Sequence, residues 1–302
     1  MPELPEVETL ARDLRATVVG RKITKATVSP DAPRLVQDMP VEVFESGLRG
    51  RRIEGVSRRG KYLMLQLDKG LWWVMHRRMS GNVLRRPVKA TDEPYIRARF
   101  RLDDGNELRF VDLRKFGTMW LTDDPEPIFA GLGPEPLDEA FTDEVLRETL
   151  KKRSTAIKPV LLDQAAIAGV GNLYADEALH YAGIHPKQPA ASLKNDEVAK
   201  LREGIVRALE QGLANLGSSV GNVAGEEVSL RDHVNLNGES GKNQEYLVAY
   251  GREGRPCRTC GTAIERIKLA QRSAHFCPKC QPLRRRRKRT PAKGRARRAP
   301  AG

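Results

Sequence analysis

Cysteine is absent until Cys257, and the 302-residue chain holds only four. A scaffold stapled throughout by disulfides is therefore excluded. Long apolar runs are also missing. The longest strongly apolar run beside a strand pattern is Leu71–Met75, far short of the ~20 residues that a bilayer span requires. The opening Met-Pro-Glu-Leu-Pro-Glu is acidic and helix-like, without the basic-then-apolar pattern of a secretory signal. No internal repeat is present. Acidic residues are absent from 283–302, a stretch rich in Pro, Ala and Gly.

What is there is a charged globular chain. Charged residues make up 30% and hydrophobic residues 39%, a mix that excludes a membrane span and a wholly disordered polymer. The length suits two domains of about 100–200 residues each. Lys and Arg number 53 against 39 Asp and Glu, giving a net charge of +14. That surplus points to a polyanionic partner such as nucleic acid. Its distribution is uneven, because 283–302 carries ten Lys or Arg and the rest retains 43 − 39 = +4. The tail has little to bury and is read as disordered.

Residues 3–19 read as an amphipathic helix, with Leu4, Val7, Leu10, Leu14 and Val18 at spacings of three and four. Short β-rich runs follow at 22–29, 51–58, 61–67, 71–75, 96–102, 106–112 and 117–121, with Asp103-Asp-Gly105 as a hairpin turn. Beyond a Pro- and acid-rich stretch at 122–137, helical patterns occupy 143–152, 154–165, 172–182 and 195–216. The fold class is thus α+β: a helix plus an antiparallel β-sandwich, then a helical region and a metal-bound β-ribbon. The division expected is 1–124 for the sandwich domain, 125–142 for a linker and 143–240 for the helical domain. The ribbon takes 241–282 and the basic tail 283–302.

Cys257, Cys260, Cys277 and Cys280 have C-x2-C-x16-C-x2-C spacing, which suits one tetrahedral zinc held by four thiolates. His275 beside the second pair is read as a surface or DNA-side residue. At the other end, removal of Met1 frees the secondary amine of Pro2. A helix N-terminus favours the neutral amine, and a neutral amine can attack carbon and form an iminium. Glu3 is adjacent, and Glu6 follows on the same helix face. Pro and acidic residues also favour any helix start. Three basic, Gly-containing stretches lie in the sandwich region: Arg58–Tyr62, His76–Gly81 and Asp112–Gly117. Met79 and Phe116 stand among their charges, as apolar wedges do in DNA-bending proteins. Gly169-Val-Gly171-Asn172 opens a helix and can offer backbone amides to a phosphate, or Asn172 can serve as a plain cap.

Together, collinear from residue 2 to about 281, these motifs resemble the formamidopyrimidine-DNA glycosylases, bacterial base-excision repair enzymes. The segments that carry the resemblance are Pro2–Glu6, Gly60-Lys61-Tyr62, His76…Gly81, Asp112…Gly117, Lys158–Gln164, Gly169–Asn172, Ala270-Gln-Arg272 and the four cysteines. The resemblance implies a helix-two-turn-helix domain and a structural zinc. It implies excision of oxidised purines from duplex DNA through a Schiff base on Pro2, then strand cleavage by β,δ-elimination. Glu3 and Lys61 join Pro2 as catalytic residues, and Glu6 supports them. Met79, Arg114 and Phe116 fill the space left by the flipped base. Lys61, His76, Asn172 and Arg272 hold phosphates, and Lys158 is counted with the DNA contacts. A monomer in the cytoplasm, associated with the nucleoid, is implied too.

This chain departs from the family pattern at three places. Arg77-Arg78 stand where Leu-Gly is common, adding two cations beside Met79. Leu113 replaces a usual Pro. Segment 217–232, the damaged-base loop, is lengthened by an acidic insert. Two other readings remain: an endonuclease VIII-like enzyme for oxidised pyrimidines, and a non-catalytic zinc protein that binds damaged DNA. Leu4 with the complete Met79, Arg114 and Phe116 set favours the formamidopyrimidine type. Intact Pro2, Glu3 and Lys61 disfavour the binding protein.

Deleting 283–302 is expected to flatten the salt dependence of DNA binding, by up to ~0.9 log units per decade for each phosphate the tail neutralises. Binding titrations at several salt concentrations check this. An unchanged slope means that the tail does not touch DNA.

Overall fold

The structure, a computed structural model, describes residues 2–219 and 233–284. Most of the lengthened segment and all but the first two residues of the basic tail lie outside it. Helix α1 spans Leu4–Val18. Its predicted apolar stripe is fully buried. Two four-stranded antiparallel sheets follow. One has the order β1-β6-β7-β5, built from Ile23–Val28, Ile96–Leu102, Asn106–Val111 and Asn82–Pro87. The other has the order β2-β3-β4-β8, built from Ile53–Arg59, Tyr62–Leu67, Trp72–His76 and Thr118–Thr122. The turn at Asp103-Asp-Gly105 joins β6 to β7, with Gly105 at φ 80°.

One helix and one strand of the sandwich domain escaped the sequence reading. Helix α2 (Val41–Leu48) buries only Phe44 and Leu48, so its stripe is too short to stand out. Strand β5 carries Arg85 and Arg86, whose side chains pair with Asp104 and Glu93. Charges on a half-exposed strand mask its alternation.

The segment expected as a linker is docked. It contains α3 (Glu126–Phe129). Glu135 within it accepts from Arg58 Nη1 at 2.6 Å, Arg59 Nη1 at 2.9 Å and the Gly60 amide at 2.5 Å. The helical part comprises α4 (Asp143–Lys151), α5 (Ile157–Leu162), α6 (Asn172–Ala182) and α7 (Asn195–Ala214). Helix α5 is shorter than the predicted 154–165. Strands β9 (Glu265–Leu269) and β10 (Arg272–Phe276) form the terminal ribbon. Their turn places Ala270 and Gln271 at positive φ.

Two main cores result, one in the sandwich and one among the helices, and each takes a residue from the far side of the chain. Leu4 joins the helical core, whereas the rest of the α1 stripe joins the sandwich core. Leu236 also belongs to the sandwich core, and its carbonyl accepts from the Arg85 amide at 3.0 Å. Among the described residues, no helix is long and apolar enough to cross a membrane.

Helices α6 and α7 pack at glycine. A Cβ on Gly204 would lie 2.6 Å from the Ala178 carbonyl oxygen. Ala improves intrinsic helix propensity by about 1 kcal/mol over Gly, but overpacking costs about 1–3 kcal/mol. Gly204→Ala is therefore expected to lower the thermal midpoint. A raised midpoint in calorimetry would contradict this packing.

Candidate active site and DNA-facing surface

Pro2 is buried at the head of α1. The next side chain, Glu3, leaves its own helix and reaches the N-terminus of α6. Its carboxylate accepts from the amides of Gly171 at 2.7 Å, Leu173 at 3.0 Å and Tyr174 at 3.3 Å. The glycines permit this approach. A Cβ on Gly171 would meet Glu3 Cδ at 2.3 Å, and one on Gly169 would meet Leu4 at 2.7 Å. Gly169 adopts φ 85°, and its carbonyl accepts from the Leu4 amide at 3.0 Å. The two-glycine turn thus holds a carboxylate of the chain itself, where an exogenous phosphate was the sequence-based expectation. The same dipole and free amides serve either anion.

Lys61, at the β2–β3 turn, enters this cluster from the sandwich. It is buried, and its ammonium donates to the Val170 carbonyl at 2.9 Å. Burial lowers its pKa, while Glu3 and Glu6 pull it upward and Arg272 lowers it further. For Glu3, burial raises the pKa, Lys61 lowers it and Glu6 raises it. Glu6 binds three groups: the Glu3 amide at 2.8 Å, the Tyr174 hydroxyl at 2.7 Å and the Ser218 amide at 2.8 Å.

The two wedge loops share one anchor. Asp112 is buried and accepts from Ser80 Oγ at 2.5 Å, the Arg114 amide at 3.1 Å and the Gly117 amide at 2.9 Å. The Phe110 ring fills the floor, so a Cβ on Gly81 or Gly117 would strike it at 2.7 or 2.4 Å. The tips stay out, with Met79 36% and Phe116 49% exposed. The Arg114 guanidinium lies over the Phe116 ring at 4.8 Å.

His76 is buried, and its Nδ1 accepts from the Arg78 amide at 3.0 Å. The ring proton therefore sits on Nε2, available as a donor. Burial first, then Arg78 and Lys61, push its pKa down to about 3. Arg272 is exposed at the start of β10. Asn172 is the first residue of α6, with Gly171 as the N-cap. Its buried Oδ1 has no partner among the described residues, and its side chain interacts with the Tyr250 hydroxyl.

Two sequence expectations are corrected. Lys158 is only 1% exposed, and its ammonium binds Asp176 Oδ1 at 2.6 Å and the Ser273 carbonyl. It joins α5, α6 and the ribbon from inside and is not presented to DNA. His275 is buried too, with its amide and Nδ1 at 2.9 and 3.0 Å from Asp176 Oδ2. The sequence reading gave no role to the partners Asp112, Asp176 and Glu177, although Asp112 heads one of the quoted motifs. The Glu177 carboxylate accepts from the amides of Val248, Ala249 and Tyr250, and burial raises its pKa to about 7. The Asp-Glu pair at 176–177 early in α6 was the available signal.

The four cysteine sulfurs lie within 4.8 Å of one another, and all four cysteines are free. Cys257 and Cys280 are 3.9 Å apart, and Cys260 and Cys277 are 3.4 Å apart. Zn–S bonds of about 2.3 Å in a tetrahedron need S–S separations of this order. The set fits zinc and leaves no open position for a reacting group.

A sandwich, a helical unit and a four-cysteine ribbon sharing one N-terminal cluster define a multidomain zinc protein of the DNA-glycosylase class. Residues 1–119 match the formamidopyrimidine-DNA glycosylase N-terminal domain, residues 132–224 its H2TH domain, and residues 254–283 a zinc finger found in FPG and IleRS. The chain belongs to the formamidopyrimidine-DNA glycosylase family. It is 45% identical over 283 residues to the formamidopyrimidine-DNA glycosylase of Roseiflexus sp. (strain RS-1), covering 93% of this chain and 100% of the relative. It is 46% identical over 285 residues to that of Chloroflexus aggregans, covering 94% and 99%. A solved Lactococcus lactis FPG (MutM) bound to Fapy-dG DNA superposes with TM-score 0.83 at 36% identity, covering 93% of this chain and all of that one. A MutM complex with carbocyclic 8-oxo-G DNA has the same TM-score, identity and coverage. The ribbon binds one structural zinc ion.

The pH behaviour of His76 follows from its burial. Between pH 6.5 and about 3 the unfolded chain holds this proton and the folded chain does not. Its contribution to stability is thus complete above 6.5 and declines as pH falls through that window. An NMR titration is expected to find the ring neutral at pH 5, whereas protonation there contradicts the assignment.

Proposed function

We propose that this chain removes oxidised purines, formamidopyrimidines and 8-oxoguanine, from duplex DNA and then cleaves the abasic strand. The observation that carries this reading is the position of Glu3, directly after Pro2, against the α6 N-terminus beside Lys61. The Lactococcus lactis FPG structures bound to Fapy-dG DNA and to abasic-site DNA support the substrate class.

The mechanism starts with eversion, because C1′ is unreachable while the base is stacked. Met79 and Phe116 replace the lost stacking, and Arg114 faces the orphaned base. Lys61, His76, Asn172 and Arg272 hold phosphates around the turned-out nucleotide. His76 does so as a neutral Nε2–H donor. These contacts position the DNA without reading sequence.

With Met1 removed, the Pro2 nitrogen lone pair forms a bond to C1′, and the glycosidic bond to the base breaks. The base leaves with that electron pair and takes up a proton. Glu3, whose pKa is raised by burial, delivers a proton to the ring oxygen as the sugar opens. A buried carboxyl is suited to that role. The Pro2 nitrogen's own proton passes to the departing base, and the restored nitrogen lone pair forms the iminium as the bond from C1′ to the protonated ring oxygen breaks. Loss of a C2′ proton expels the 3′ phosphate, and a second elimination expels the 5′ phosphate. Water releases Pro2.

The 1–124, 143–240 and 241–282 division serves this chemistry as catalytic sandwich, helix-two-turn-helix unit and zinc ribbon, with 125–142 as the docked connector. We propose a monomer acting where duplex DNA is, at the nucleoid.

Sodium borohydride is expected to trap the processed protein on an 8-oxoguanine duplex. Trapping neither oxidised-purine nor oxidised-pyrimidine DNA would favour a binding protein. Pro2→Gly is expected to cut strand cleavage about 100-fold, the scale of losing one group from a cooperating catalytic set, while retaining DNA binding. Unchanged single-turnover rates would remove Pro2 from the mechanism.

A further inference from the structure

Arg77 and Arg78 are the two cations that the sequence adds beside Met79, and the structure separates them: Arg78 is exposed and Arg77 is 1% exposed. Its guanidinium meets four acceptors from three separate segments. Nε donates to the Gly81 carbonyl at 2.7 Å, and Nη1 to the Glu6 carbonyl at 3.3 Å. Nη2 donates to Asn82 Oδ1 and lies 3.2 Å from His233 Nδ1. Every contacting acceptor is neutral. The Glu6 carboxylate acts on it only through space. A buried cation without a contacting carboxylate carries a desolvation cost, and a leucine would fill an apolar site without it.

The arrangement ties together the parts that must move in register. Arg77 closes its own turn from both ends, since the Gly81 amide also donates to the Arg77 carbonyl at 3.0 Å. Met79 sits at the tip of that turn, after Arg78 at φ 53°. The Glu6 peptide is one turn from Pro2, and the Glu6 carboxylate binds the Glu3 amide. His233 is buried, and its carbonyl accepts from Ser219 Oγ. A guanidinium fork can address three directions at once, which an ammonium cannot hold with the same geometry.

We propose that Arg77 is a positioning residue for base eversion, fixing the Met79 wedge to the catalytic helix at Glu6 and to His233. The wedge then enters the duplex in register with the nucleophile. This rests on the glycosylase reading above.

The test compares two reactions of the full chain: single-turnover release of 8-oxoguanine, and cleavage of a duplex carrying a preformed abasic site. The second has no base to unstack, so its eversion cost is least. Arg77→Leu and Arg77→Lys are each expected to slow base release about tenfold, or about 1.4 kcal/mol, and abasic cleavage less than about twofold, so that most of the loss falls on eversion. The Lys variant keeps a cation, so it tests the fork even where Leu fails to fold. Combining Arg77→Lys with Met79→Ala is expected to slow base release no more than Met79→Ala alone, because coupled residues are not additive. Additive slowing, equal slowing of both reactions or unchanged base release would each overturn the proposal. If wild-type protein neither releases base nor is trapped by borohydride, the glycosylase reading itself fails.

Discussion

The carboxyl group of Glu3 at the N-terminus of α6 ties together the molecule's two main parts. An anion there is favoured by the helix dipole and by unpaired amides. Glu3 directly follows Pro2, so anchoring it also anchors Pro2. The contact demands glycine at 169 and 171, because any side chain there would strike Glu3 or Leu4. It places Leu4 in the helical core while the remainder of α1 stays in the sandwich core. The cost of withdrawing the carboxylate from water appears as its raised pKa, which is also the property an acid catalyst needs.

The candidate DNA-facing side follows a different logic. Its tips are exposed and apolar, and their rigidity comes from beneath. Asp112 binds both loops, and Phe110 packs under two glycines. The cations divide in the same way. Arg78, Arg114 and Arg272 are exposed. Lys158 and Arg77 are interior struts, with their donors used by protein acceptors. Net charge therefore says little about these cations, since the surroundings of each one decide its role residue by residue.

The readings that succeeded from sequence were local or periodic. The α1 stripe, the Asp103–Gly105 turn, the strand runs and the cysteine spacing each depend on neighbours a few residues away. The readings that failed depended on distant partners. Lys158 and His275 carry no mark of their joint partner, Asp176, and nothing near Glu3 announces a helix that begins at Asn172. Helix α2 and strand β5 were lost because one buries too little and the other carries two adjacent arginines.

The sequence by itself determined the inventory: a proline and two acids at the head of a helix, apolar residues among cations, and four thiolates for one metal. Spacing and residue chemistry are properties of the chain, so they survive without coordinates. The tertiary structure alone decided which charges are solvated and which are spent inside. A lysine's role depends on what surrounds its ammonium, and contacts over 100 residues apart in the chain, such as Lys61 with Val170 and Glu3 with Leu173, are set by packing.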